Sequence, residues 1–208
     1  MVSNAKKVKL EAYNGSIDKN AEVYAIIDVE TCFERNVISV GVIITDDISF
    51  MPRDFKYYRI PEQENAPAMF ADSLELGDFI SNPNEYEMKV KYIEAIEGIK
   101  DFLSGYSVEN LFAYNAGFDK GRLPELRAYR WHDIIEKAAY KQFNNKIPAD
   151  SVFYGTGRLV RGYTVEDMYR LLVKPRYRET HNALMDTLDE LEIMKALGYR
   201  VGEYGVIK

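Results

Sequence analysis

The chain has 208 residues, enough to bury one substantial core, and its 47% hydrophobic content excludes a disordered polymer. A formal net charge of -6 argues against a protein that coats DNA or RNA with a broad basic face, though not against an enzyme that reaches one phosphate through bound cations. Cys32 is the only cysteine, which excludes an intrachain disulfide and a thiolate zinc cluster within one copy and is compatible with a reducing, cytoplasmic setting.

Residues 1–20 are mixed and polar, without an apolar segment long enough for a signal peptide, and no later run reaches transmembrane length. They read as an N-terminal extension ahead of a single soluble domain over 21–208, with no membrane partner. AEVYAIIDVE (21–30) is an apolar run whose β-branched and aromatic residues favour a core strand. NVISVGVIIT (36–45) is a second strand and FKYYRI (55–60), ending before Pro61, a third, so the chain starts with a three-strand meander. Residues 61–88 hold seven Asp or Glu, three Pro and no Lys or Arg, the composition of an exposed connection with one short helix, whose charge suits a basic partner.

From Met88 to Leu103 the period becomes helical, with Ile93, Ile96, Ile99 and Leu103 on one face and Gly105 as the stop. NLFAYNA (110–116) is a short strand, and the helical character of FDKGRLPELRAYR is interrupted by Gly121 and Pro124. A further helix is expected over DIIEKAAYKQF (133–143), with Asp133 capping it. Another spans VEDMYRLL, where Thr164 and Asp167 can cap each other reciprocally. The last begins near His181, carries Leu184, Leu188, Leu191, Met194 and Leu197 as its apolar stripe, and stops at Gly198. Strands first and alternating elements later make an α/β protein with helices over a mixed sheet.

Three short stretches carry chemistry. In IIDVET, Asp28 and Glu30 are two residues apart, so strand alternation puts both carboxylates on one side of the strand end. Alone, D-x-E is more often an ordinary solvated strand terminus. In YNAGFD, a short strand turns through Asn115, Ala116 and Gly117 before Asp119, a geometry that serves equally to aim a carboxylate back at the first strand or to cap local backbone donors. In THNALMD, His181 and Asp186 would diverge by roughly 140° on a regular helix, so His181 must precede the helix if both face one centre. Four acids and one imidazole from three separated positions meet the needs of a two-metal phosphodiesterase, with oxygen donors suited to Mg²⁺ or Mn²⁺.

On these motifs, IIDVET, YNAGFD and HNALMD, the sequence resembles the DEDDh exonuclease family, which includes proofreading subunits, ribonuclease T and oligoribonuclease-like enzymes. The resemblance implies a ribonuclease H-like fold with a five-stranded mixed sheet and Asp28 and Glu30 on its central strand. It also implies metal-dependent 3'-5' exonuclease activity on a single-stranded or frayed 3' end of DNA or RNA, releasing nucleoside 5'-monophosphates. By it Asp28, Glu30, Asp119 and Asp186 would hold two Mg²⁺ or Mn²⁺ ions and His181 would be the general base. Tyr114 replaces the histidine common before the Asn-Ala pair, and Cys32 follows Thr31 where many relatives have Gly.

Thr31, Asn115 and Phe118 adjoin these residues and are candidates for contacting the terminal nucleotide, with strand and core packing as the competing role. Lys174, Arg176, Tyr177 and Arg178, just before His181, are candidates for guiding the substrate backbone. Polymerase or replication proteins are the expected protein partners, and a noncatalytic nucleic-acid-binding or replication-accessory module is the competing reading.

Overall fold

The computed structural model describes residues 7–64 and 66–207; the first six residues of the expected N-terminal extension lie outside them. Within the described part of that extension Leu10 is buried, and Tyr13 donates its backbone N–H to Pro52.

Alternation organises the sheet. In β1 (Val23–Thr31), Tyr24 and Ile26 enter one core and Ala25, Ile27 and Val29 enter the other, so the strand is covered on both faces. β2 (Val37–Asp46), buried throughout, runs antiparallel to β1 with Ile43 opposite Ile26 and Gly41 opposite Asp28. β3 (Asp54–Arg59) pairs antiparallel with β2 and completes the expected meander.

The acidic segment is more than an exposed connection. After the short helix α1 (Pro61–Glu64), 3-10 turns occupy 71–73, 76–78 and 83–85, and Leu74, Leu76 and Ile80 are buried. Glu62, Asp72, Glu75 and Glu85 remain exposed, so the segment divides its apolar and acidic residues between core and solvent in a way its mean composition conceals. It ends in β4 (Glu87–Lys89), parallel to β3.

Met88 therefore belongs to a strand, and α2 (Tyr92–Gly105) starts later than periodicity alone set it. Lys91 is extended and donates its N–H to the Glu94 carboxylate at 3.0 Å, which marks the helix start. Ile93 is exposed, and the buried face consists of Ala95, Ile96, Ile99 and Leu103. β5 (Asn110–Ala113) lies parallel to β1, followed by α3 (Gly117–Arg122) and a 3-10 turn at 124–126.

Two expectations around residue 133 need correction. RWHD forms a further strand, β6 (Arg130–Asp133), parallel to β5 and anchored by the fully buried Trp131, whose indole N–H donates to Leu126 O at 3.0 Å. The helix expected over 133–143 shrinks to α4 (Ile135–Ala138), because the following chain is drawn into a bridge between Tyr140 and Arg158. The residue at the cap position is Ile134, with no side-chain cap, and Asp133 just before it accepts the Ile135 N–H at 3.0 Å.

α5 (Val165–Leu172) has the reciprocal Thr164–Asp167 cap, and α6 (Ala183–Leu197) ends at Gly198 in the left-handed conformation. In α6, Leu184, Leu191 and Met194 are buried, Leu188 and Leu197 only partly. Among the described residues the mixed sheet has the order β4-β3-β2-β1-β5-β6, six strands rather than five, with β1 internal. α6 covers the Tyr24 and Ile26 face of β1 and β2, and α2 covers the other. Among the described residues no helix is long and apolar enough to cross a membrane.

Candidate active site

β1 changes character along one face. Tyr24 and Ile26 pack beneath α6, and the next two side chains on that face are Asp28 and Glu30, both partly buried. Across the ladder from Asp28 stands Gly41, where a Cβ would lie 2.3 Å from the carbonyl oxygen of Ala183 and 2.5 Å from the amide nitrogen of Leu184. The missing side chain lets the first turn of α6 rest on the sheet, which seats the buried Asp186 beside the acidic end of β1.

His181 precedes that helix in the left-handed conformation, with φ of 54°. Leaving the helical path removes the angular divergence from Asp186, and ligand-capable atoms of Glu30, His181 and Asp186 all lie within 4.8 Å of one another. Phe70, from the acidic segment, stacks on the imidazole at 3.7 Å with 14° between the rings. Asn182 fastens the junction: its side-chain oxygen accepts the N–H groups of Leu184 and Met185, and its amide donates to Ser73 O at 2.8 Å.

The third arm comes from β5. Asn115 takes a positive φ of 62° at the strand's end and is pinned by its N–H to the Asp133 carboxylate at 2.9 Å. The chain then enters α3, where buried Asp119 accepts the N–H of Val29, the residue between Asp28 and Glu30, at 3.2 Å. Asp28 and Asp119 act on each other electrostatically, as do Asp28 and Asp186.

Burial first, and neighbouring carboxylates second, push the proton affinity of the four acids upward. Glu179 acts on Asp28; Asp28 and Glu179 act on Glu30; Asp28 acts on Asp119; Asp28, Glu179 and Glu30 act on Asp186. His181 shifts the other way, because burial lowers its pKa, with Glu166 opposing and Arg178 assisting. Its neutral form is therefore favoured near neutral pH.

Buried carboxylates whose strongest charged neighbours are other carboxylates call for a counter-cation. The oxygen-rich donor set fits Mg²⁺ or Mn²⁺, while the sole thiol, Cys32, is buried in a separate small cluster with Ile38 and Leu74.

The expected substrate contacts are placed less uniformly. Thr31 is partly buried just after a register shift at the end of β1, and Asn115 is exposed. Phe118 is exposed with the Arg122 guanidinium 5.0 Å from its ring centroid. Arg176 and Arg178 are exposed, whereas Tyr177 donates its hydroxyl to Asp189 and packs on Tyr169 at 4.1 Å, tying the basic loop to α5 and α6. Sequence reasoning did not single out Phe70, Glu179 or Glu190. Glu190 alone had a readable signal, its i+4 relation to Asp186; nothing in the spacing of residues 61–88 indicates that Phe70 covers the imidazole.

No protein-family model matches the chain, and no curated protein matches it in sequence. Solved structures do match in fold. The nuclease domain of 3'hExo, a DEDDh family member, bound to rAMP, superposes with a TM-score of 0.60 at 13% identity, covering 92% of this chain and 99% of that one. A full-length 3'-exonuclease gives 0.57 at 14% identity, with 90% and 91% covered. A 3'-exonuclease in 3'-end-specific recognition of a histone mRNA stem-loop gives 0.58 at 14%, with 92% and 72% covered. The chain has the ribonuclease H-like fold of DEDDh nuclease domains.

Proposed function

We propose that this protein is a metal-dependent 3'-5' exonuclease that hydrolyses the terminal phosphodiester of a DNA or RNA strand and releases nucleoside 5'-monophosphates. The observation that carries the reading is the meeting of Glu30, Asp186 and His181 within 4.8 Å, from chain segments about 150 residues apart, on a fold shared with 3'-exonucleases. Two of those neighbours are described with a ribonucleotide or an RNA, which supports RNA as one substrate class.

Asp28, Glu30, Asp119 and Asp186 would hold two Mg²⁺ or Mn²⁺ ions, which when bound supply Lewis-acid polarisation of the phosphoryl group and make water acidic enough to attack at neutral pH. Neutral His181 accepts the proton of the attacking water as the new P–O bond forms and the P–O3' bond breaks; the departing 3' oxygen then takes up a proton. Phe70, stacked on the imidazole, restricts its orientation. The Val29 N–H holds Asp119 in place, so the acid does not have to be ordered when substrate arrives. Exposed Arg176 and Arg178 give an otherwise acidic protein local positive charge for the substrate backbone.

The test is to incubate purified protein with matched single-stranded DNA and RNA, labelled at either end, with Mg²⁺, with Mn²⁺ and with chelator. Cation-dependent shortening from the 3' end with 5'-mononucleotide products is the expected result. Binding without hydrolysis when cation and free 3' ends are supplied would instead identify a noncatalytic nucleic-acid-binding module.

A further inference from the structure

We propose that Glu190 is a fifth carboxylate of the cation centre, contributing its free oxygen; the inference rests on the metal-dependent reading above. Glu190 lies one turn beyond Asp186 on α6, so the two acids share a helix face. Its side chain is almost fully buried, with 1% of the residue exposed. One carboxyl oxygen, Oε1, accepts the backbone N–H of Tyr114 at 3.1 Å. The other, Oε2, is buried without any hydrogen-bond partner among the described residues. The charged groups that act on it are the carboxylates of Asp28, Asp119 and Asp186.

A structural role accounts for only half of this side chain. Accepting the Tyr114 N–H ties α6 to the end of β5, but a neutral amide would do the same, with neither a charge nor a second buried oxygen. A buried polar atom without a partner costs roughly 1–3 kcal/mol, more when charged, and such atoms in folded proteins call for an explanation. Asp186 stands one turn away on the same helix, and the charges acting on Glu190 are all acidic, so its negative charge is disfavoured there until a cation is shared. Glu190 also links the arms mechanically: the Tyr114 amide it holds opens the turn that leads to Asp119, while its own helix carries Asp186. A cation centre that uses this oxygen explains why the residue is an acid.

The test compares wild type with Glu190→Gln, which retains an acceptor for Tyr114 and removes the charge. Mn²⁺ affinity is measured by calorimetry, and thermal unfolding with and without Mn²⁺. The Gln variant should bind Mn²⁺ about 10–100-fold more weakly, the range seen when groups supporting a metal site are removed. Its cation-free Tm should be no lower than that of wild type, and the Tm gain on adding Mn²⁺ should shrink. Unchanged Mn²⁺ affinity in a natively folded Gln variant overturns the proposal and leaves Glu190 a Tyr114 acceptor. Should the Gln variant not fold, Glu190→Asp keeps the charge but withdraws it by one methylene, and wild-type affinity there also overturns the proposal. Wild-type protein that takes up no Mn²⁺ is a separate result, which removes the metal-dependent reading itself.

Discussion

Replacing Gly41 by Ala tests whether the close approach of α6 to the sheet builds the site. The new Cβ would stand 2.3 Å from the Ala183 carbonyl oxygen and 2.4 Å from its carbonyl carbon, so about 1 Å of retreat is needed to reach ordinary contact at 3.4 Å. These are backbone atoms in the first turn of a helix and cannot rotate away as a side chain would. The helix start must lift, and with it Asp186 three residues on and His181 two residues before. Overpacking of this kind costs roughly 1–3 kcal/mol of stability, and a misplacement of about 1 Å in a catalytic array costs on the order of 10²-fold in rate. We expect Gly41→Ala to remain folded, with single-turnover release of the 3'-terminal nucleotide at saturating Mn²⁺ reduced about 100-fold. Gly98→Ala is the control. Its Cβ meets the end of the Tyr58 side chain, 2.9 Å from the hydroxyl, on the face covered by α2, and Ala offsets any strain with about 1 kcal/mol of helix propensity. That variant should keep wild-type turnover. Gly41→Ala activity within twofold of wild type, with stability intact, would refute the seating argument.

Three further outcomes are expected. His181→Ala should lower single-turnover hydrolysis by roughly 10²–10⁴ while Mn²⁺ affinity, read by calorimetry, stays near wild type; parallel loss of affinity would make His181 a ligand instead of a base. Asp119→Asn keeps an oxygen to accept the Val29 N–H, so the fold should persist, but Mn²⁺ affinity should drop by at least the roughly 10–100-fold typical of supporting groups; undiminished affinity would exclude Asp119 from the centre. The third concerns acid stability and lies away from the site. Burial raises the pKa of Asp46, but the Ser49 hydroxyl and N–H, the Arg53 guanidinium and the Ile48 N–H outweigh it, leaving a net depression. A carboxyl whose folded pKa is depressed stabilises the fold above its unfolded value, near about 4, and loses that contribution as pH falls through the folded value. Urea midpoints between pH 5 and pH 2 should therefore fall more steeply for wild type than for Asp46→Asn, and parallel curves would contradict the assignment.

Part of the candidate site's geometry was legible in the residues themselves. The two-residue period of a strand is enough to place Asp28 and Glu30 on the face of Tyr24 and Ile26, because side-chain direction in a strand depends only on local backbone. The angular period of a helix likewise required His181 to stand outside α6, and the left-handed conformation there meets that requirement. Local caps, Thr164 with Asp167 and Gly198, were equally readable, since each involves residues a few positions apart. Local propensity failed where distant partners competed. RWHD pairs as β6 because β5 offers a free edge, the helix after Asp133 is cut short by pairing with Arg158, and Ile93 points outward from a stripe that looked uniformly apolar. Tertiary structure alone decided three features of the site: the contact of Gly41 with the backbone of Ala183, the stacking of Phe70 on His181, and the partnerless oxygen of Glu190. Each depends on the distance between atoms whose residues are tens to more than a hundred positions apart, and no period along the chain encodes that distance, because packing between elements sets it.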